Sequence, residues 1–180
     1  MVNEKQVFII NGKGNVGKDT FVQVVNGYIG SINYSSVDYI KYIASKMGWN
    51  GEKDAKSRKF LSDLKQLSTE YNDMPYRDIL EYISFFFNSM YSDEVLLFLH
   101  IREPQEIQRV LDFCYEHDIK AHSVLVKNDK MEHIEYGNIA DDNVTNNIDY
   151  DFVVDNSGSL DDLDNEARIF LNHFKIEFDE

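Results

Sequence analysis

The chain has 180 residues, of which 43% are hydrophobic, as is typical of one globular domain. Its formal net charge is −14 at pH 7, and because such a surface repels polyanions we do not expect it to bind nucleic acid. The N-terminal residues form no apolar segment, so we expect no signal peptide. No apolar run approaches the length of ~20 residues that spans a membrane, so we expect no membrane partner. The single cysteine, Cys114, fits a reducing compartment, so a cytoplasmic location is expected.

Most of the negative charge lies near the C-terminus. Residues 128–180 hold 15 acidic and 3 basic side chains, which accounts for −12 of the total of −14. We expect this segment to form a solvated surface, and a small anionic ligand can still bind where the local charge is positive.

The hydrophobic pattern alternates between strands and helices. In chain order it predicts a strand at 5–11, a helix at 17–29, a strand at 31–35, helices at 37–47, 54–72 and 76–90, a strand at 94–101, a helix at 104–117, strands at 121–126 and 152–154, and a last helix from about 160. This alternation favours an α/β fold with a doubly wound, five-stranded parallel sheet. We expect a single domain over 1–180, with a helical insertion at about 50–92 and, at about 127–148, either a surface loop or a lid.

A phosphate-binding motif lies between the first predicted strand and the first predicted helix. The segment fits G-x-x-x-x-G-K, with Gly12, Gly17 and Lys18 in register. Glycines let backbone N–H groups surround an anion, the helix start adds its positive dipole end, and the lysine supplies an ammonium group. We therefore predict nucleotide contacts from Gly12, Lys13, Gly14, Asn15, Val16, Gly17, Lys18, Asp19 and Thr20. For Lys13, solvent exposure is an equal alternative.

A metal ion is the second ligand that this motif suggests. Asp19 stands where a serine or threonine ordinarily offers a hydroxyl group to Mg²⁺, and Thr20 follows it. Either side chain could contact Mg²⁺. Alternatively, Asp19 is an acidic residue favoured by the helix dipole, and Thr20 caps the helix or touches a phosphate.

Arginines mark the expected acceptor side. Arg102 follows the third predicted strand, at the sheet edge where ligands bind in such folds, and a guanidinium there can hold a phosphate with two hydrogen bonds. Alternatively, Arg102 forms an ion pair with Glu103. Arg58 and Arg77 could hold an acceptor phosphate if the insertion folds over the strand ends, although the basic cluster in the insertion could also be a solvated helix face.

Three segments resemble the deoxynucleoside monophosphate kinase and phosphomevalonate kinase branch of the adenylate-kinase-like fold, including phage-type members. They are Gly17-Lys18-Asp19-Thr20, which is that branch's G-K-D-T variant, Ile101-Arg102-Glu103-Pro104-Gln105-Glu106-Ile107 after the third strand, and Tyr150–Leu160. Val37-Asp38-Tyr39-Ile40-Lys41 is similar to its acceptor-side helix start.

The resemblance implies a three-layer P-loop NTPase fold with strand order 2-3-1-4-5, and ATP and Mg²⁺ as cofactors. It implies that Asn156, Ser157 and Gly158 contact the donor nucleotide, that Asp38 is on the acceptor side, and that Lys18 and Arg102 are catalytic. Two features differ from that branch: His100 stands where it has an aspartate, and residues 121–150 contain no arginine.

Three functions follow from these observations. The first is an ATP-dependent phosphotransferase acting on a small phosphorylated acceptor, a (deoxy)nucleoside monophosphate above all. The second, suggested by His100 and the absent arginines, is a nucleotide-binding sensor or regulatory protein with little transfer activity. A GTPase is the third, but the sequence has no N-K-x-D guanine signature. Nothing in the sequence indicates the oligomeric state.

Overall fold

The structure is a computed structural model that describes residues 3–89, 93–131 and 148–178. Most of the predicted loop or lid at 127–148 therefore lies outside the described residues. No helix in the described ranges is long and apolar enough to cross a membrane.

Each predicted strand and helix is confirmed, with ends that shift by at most three residues. The described elements are β1 (Gln6–Asn11), α1 (Lys18–Asn26), β2 (Ser31–Ser35), α2 (Asp38–Lys46), α3 (Ala55–Asn72), α4 (Met74–Asn88), β3 (Leu96–His100), α5 (Pro104–Glu116), β4 (Ala121–Lys127), β5 (Phe152–Asp155) and α6 (Leu160–His173). The largest shift is at the end of α1, which stops before Gly27. Glycine has the lowest helix propensity after proline, so this early end is expected.

The five strands form one parallel sheet in the order β2-β3-β1-β4-β5, which confirms the predicted fold class and strand order. Ile10 lies beside His100 on β3, and Asn11 lies beside Leu125 on β4. On the other side of β4, Lys127 lies beside Asp155. The carboxyl ends of these strands therefore meet at one edge, where the loops that follow them can build a site.

The chain consists of two compact units. The first unit is Met1–Asn33 with Met90–Glu180, and its core lies on both faces of the sheet. On one face, Phe8 and Phe98 pack with residues of α1 and α6, and the rings of Phe8 and Phe170 are 4.8 Å apart. On the other face, α5 buries Ile107, Val110 and Cys114 and packs against β4. Each fully buried side chain of this size contributes about 1.5–3 kcal/mol, so the sheet that carries the phosphate-binding loop is rigidly supported.

The second unit is Tyr34–Ser89, which contains α2, α3 and α4. Its buried apolar residues come from α2 and α4: Ile40, Ala44, Ile79, Ile83 and Phe86. Helix α3 packs against both of them but buries no residue fully. The side chain of Asp54 caps the start of α3 by accepting from the Ser57 N–H at 2.7 Å, and Pro75 lies in the first turn of α4, where its missing N–H costs nothing.

Candidate nucleotide-binding site

Backbone conformation explains the glycines of the loop between β1 and α1. Gly12 has a φ of 148° and Gly17 a φ of 90°, both in the region that side-chain-bearing residues rarely adopt. A Cβ atom at Gly12 would also collide with the main-chain oxygen of Val126. At Gly17 it would collide with the side-chain amide of Asn156. Neither position accommodates a side chain, which is the condition under which a backbone can approach a phosphate closely.

Lys18 lies over this loop. Its Nζ atom donates hydrogen bonds to the main-chain oxygens of Gly12 at 2.7 Å and Lys13 at 2.8 Å. The loop that precedes α1 therefore holds the ammonium group of Lys18 in place. This puts a positive charge beside the N-terminus of α1. An anion bound in the loop would meet both the ammonium group and the helix dipole.

Asp19 lies in the first turn of α1 and its side chain is 87% exposed. Its Oδ1 atom accepts a hydrogen bond from Asn33 Nδ2 at 3.0 Å and lies 3.7 Å from His100 Nε2. Thr20 is also exposed. A carboxylate and a hydroxyl group are oxygen ligands that suit Mg²⁺, which keeps several water or phosphate ligands of its own. The described residues contain no group of three or more His, Cys, Asp or Glu side chains that could hold a metal ion.

Asn156 lies directly after the edge strand β5 and contacts the phosphate-binding loop. Its Nδ2 atom donates to the Val16 main-chain oxygen at 2.8 Å, and its own N–H donates to Lys127 O at 2.8 Å. The resemblance implies a role for Asn156 toward the donor nucleotide; in the structure its side-chain amide and its N–H donate to main-chain oxygens. No sequence pattern links residues 16 and 156, so this support was not foreseen.

Ser157 and Gly158 continue the same turn. Ser157 Oγ accepts from the Asp129 N–H at 3.0 Å, and Asn128 Nδ2 donates to Asn156 O at 2.6 Å, so the loops after β4 and β5 are bound to each other. Gly158 lies against the Asp162 side chain, which completes the capping box of α6 with Ser159.

Asn11, at the carboxyl end of β1, forms hydrogen bonds with three other segments of the chain. This residue is fully buried, and its Oδ1 atom accepts from the Gly12 N–H at 2.8 Å. Its Nδ2 atom donates to the Tyr150 hydroxyl at 2.9 Å and to the Arg102 main-chain oxygen at 3.3 Å. Asn11 and Tyr150 were not predicted as site residues; the signal that could have indicated Asn11 is an amide at the end of a largely apolar strand.

The predicted acceptor residues are distributed over both units. Arg102 follows β3 in the first unit and is exposed. Asp38, Arg58 and Arg77 belong to the second unit. Asp38 accepts from Lys41 Nζ at 2.8 Å and from the Ser35 N–H at 3.0 Å, and Arg58 Nε donates to Lys53 O at 3.0 Å. Arg77 is an exposed residue of α4.

Comparison with solved structures relates this fold to kinases. A tunicamycin resistance protein from Deinococcus radiodurans aligns with a TM-score of 0.61 at 10% identity, over 98% of this chain and 99% of that one. An APS kinase from Mycobacterium tuberculosis, in complex with AMPPNP and APS, gives 0.52 at 10% identity over 96% and 99%. An unliganded sugar kinase from a Janibacter species gives 0.51 at 11% identity over 96% and 95%.

The chain therefore has a P-loop kinase fold. At these identities the likeness concerns the fold alone, and it does not single out the deoxynucleoside monophosphate kinase branch. No protein-family model matches the sequence, and no curated protein does.

Proposed function

We propose that this protein is an ATP-dependent phosphotransferase whose acceptor is a small phosphorylated molecule, a (deoxy)nucleoside monophosphate. One observation carries the proposal: Lys18 lies over a loop whose backbone at Gly12 and Gly17 excludes side chains. A lysine and converging N–H groups at a helix start are what a triphosphate requires. The APS kinase of the same fold was solved with AMPPNP, an ATP analogue, and with APS, which supports a nucleotide donor here.

The donor site would consist of Gly12–Thr20, with Asn156, Ser157 and Gly158 beside it. Asp19 and Thr20 would hold Mg²⁺, which when bound neutralises charge on the nucleotide phosphates. Asn33 keeps the Asp19 carboxylate oriented through its 3.0 Å hydrogen bond. Lys18 would stabilise negative charge on the transferring group, and the buried Asn11 would hold the backbone on either side of the site.

The acceptor would bind through Asp38, Arg58, Arg77 and Arg102. In the transfer, an acceptor phosphate oxygen forms a bond to the γ-phosphorus of ATP while the bond to the bridging oxygen breaks, and ADP leaves. The acceptor phosphate is already ionised near pH 7, so the step needs little proton transfer. Catalysis would then consist of positioning and electrostatic stabilisation, with Lys18 and Arg102 as the charged groups.

A nucleotide-binding protein with little transfer activity is the second candidate. The observation that favours it is His100, which ends β3 with Nε2 at 3.7 Å from Asp19 Oδ1, at the position where the resembled branch has an aspartate. Tight ATP binding without acceptor-dependent ADP formation would support this candidate.

The decisive experiment measures ADP formation with a panel of nucleoside and deoxynucleoside monophosphates and small phosphorylated metabolites. We expect one acceptor class to stimulate turnover well above the rate without acceptor. Lys18→Ala should lower that turnover by at least about 100-fold, the size expected when a charge-stabilising donor is lost. Lys120→Ala, a surface residue paired with Glu4, is the matched control and should behave as wild type. The proposal fails if no acceptor in the panel stimulates turnover.

A further inference from the structure

An aromatic and acidic cluster lies at the carboxyl end of β2 in the second unit. The rings of Tyr34 and Tyr82 stack with centroids 3.8 Å apart and an interplanar angle of 14°. The Tyr34 hydroxyl donates a hydrogen bond to Asp78 Oδ2. All three side chains are half-buried, and Asp78 and Tyr82 lie one helical turn apart on α4. We call these three residues the Tyr34 cluster.

The carboxylate in this cluster is poorly satisfied. Among the described residues, the hydrogen bond from Tyr34 is the one that Asp78 accepts, and no Lys, Arg or His side chain forms an ion pair with it. Asp38 and Glu81 add negative charge nearby. Burial is the main cause that raises the pKa of Asp78, while the Tyr34 hydrogen bond opposes it. Burial and the Asp78 carboxylate also raise the pKa of Tyr34.

Other carboxylates of the same unit have a cationic partner or cap a helix. Asp63 pairs with Lys59 at 2.7 Å, and Asp54 caps α3. A half-buried carboxylate beside like charges costs stability, and such costs are concentrated at functional sites. A ligand group that donates hydrogen bonds would remove the cost by occupying the remaining lone pairs of Asp78.

We propose that the Tyr34 cluster binds the end of the acceptor that lies away from its phosphate, and that this end carries a hydroxyl or amino group that donates to Asp78. The inference rests on the proposed function and specifies its substrate. Negative charge from Asp38, Asp78 and Glu81 disfavours a phosphate or carboxylate at this position. The cluster therefore selects nucleotides, whose sugars and bases carry such donors, over phosphorylated carboxylic acids such as phosphomevalonate.

Calorimetric titration with AMPPNP present tests this selection without requiring turnover. The probes are AMP, CMP and UMP, their deoxy forms, and phosphomevalonate. The variants are Asp78→Asn and Tyr34→Phe, with Asp63→Asn as a control that removes the same charge from the same unit. We expect Asp78→Asn to weaken the best nucleotide by at least about 10-fold, which corresponds to one hydrogen bond to a charged group. Tyr34→Phe should weaken it less, the control should bind as wild type, and all variants should keep the wild-type affinity for AMPPNP.

Two binding results would overturn the inference alone. In one, the wild type binds a nucleotide acceptor and Asp78→Asn binds it equally well; in the other, phosphomevalonate binds better than every nucleotide. A structural role for Asp78 is separated by thermal unfolding, since our inference requires Asp78→Asn to be at least as stable as wild type. Loss of acceptor binding together with lower stability in both variants would contradict it. If the wild type binds AMPPNP but no phosphorylated acceptor, the proposed function itself fails.

Discussion

The side-chain amide of Asn156 donates to the main-chain oxygen of Val16 at 2.8 Å and occupies the space that a Cβ atom on Gly17 would need. The turn after β5 thus supports the phosphate-binding loop after β1, although β4 lies between the two strands in the sheet. Because the Val16 carbonyl is fixed in this way, the orientation of the peptide that precedes Gly17 is also fixed. The absence of a side chain at Gly17 and the presence of an amide at Asn156 are two parts of one packing arrangement.

Replacement of Asn156 by alanine should weaken nucleotide binding. The Val16 carbonyl would lose its partner, which costs about 1–3 kcal/mol when the group stays buried. We expect a similar loss in the free energy of unfolding and at least a several-fold rise in the Kd for ATP, measured by urea denaturation and by calorimetry. Asn172→Ala, an exposed asparagine on α6, should change neither quantity. An unchanged Kd in Asn156→Ala would show that the support is dispensable.

Gly17→Ala should be more damaging than Gly48→Ala. Both glycines have positive φ, 90° and 97°, but a Cβ atom on Gly48 meets nothing within 4 Å. The backbone cost alone is about 1–2 kcal/mol, and Gly48→Ala should show about that loss. Gly17→Ala should lose more because it displaces the Asn156 amide. The double variant Gly17→Ala/Asn156→Ala should lose less free energy of unfolding than the sum of the two single-variant losses. The difference in this double-mutant cycle should be at least about 0.5 kcal/mol. Strict additivity would contradict the packing argument.

Much of the fold could be predicted because local patterns determined it. The run Gln6–Asn11 forms the predicted first strand and is buried throughout, and the glycine spacing located the loop that follows it. Strand order was available only through the resemblance, since periodicity alone does not order the strands of a sheet.

The supporting contacts of the site could not be predicted in the same way. Asn11 contacts Tyr150, and Asn156 contacts Val16, across separations of 139 and 140 residues. No periodicity connects such positions. The Tyr34 cluster could not be predicted for a related reason: Asp78 and Tyr82 are one turn apart on α4, but their partner Tyr34 lies on β2 and could be recognised only in the folded chain.

Asp78→Asn should stabilise the protein at neutral pH. A carboxyl group whose pKa is raised on folding binds its proton more tightly in the native state, so its contribution to stability is lost as pH rises above the usual value near 3.8 toward the native pKa. At pH 7 the variant should therefore be more stable than wild type, by up to about 1 kcal/mol because solvent screens a half-buried charge. The advantage should shrink as pH falls toward 4, measured by urea denaturation at several pH values. Asp63→Asn, which removes a charge already paired with Lys59, should give no gain.

His122 should make the protein less stable in mild acid. Its ring lies 5.6 Å from that of Phe8 and 4.4 Å from that of Phe174, and burial lowers its pKa below the usual 6.5. Asp151 opposes this shift, whereas His173 and Lys120 add to it. Because the pKa of His122 is lower in the native state, the unfolded state binds its proton more tightly. The free energy of unfolding therefore falls as pH drops below about 6.5.

The His122→Phe variant keeps an aromatic ring in this stack but cannot take up a proton. We expect its free energy of unfolding to fall less than that of wild type between pH 7 and pH 5, with a difference of up to about 1 kcal/mol, since the ring is half-buried. Lys120→Gln should reduce the dependence only in part, because burial is the larger cause and remains. Direct NMR titration of the His122 ring in the wild type gives an independent measure. If that ring titrates at or above 6.5 in the native state, the acid sensitivity must come from another group.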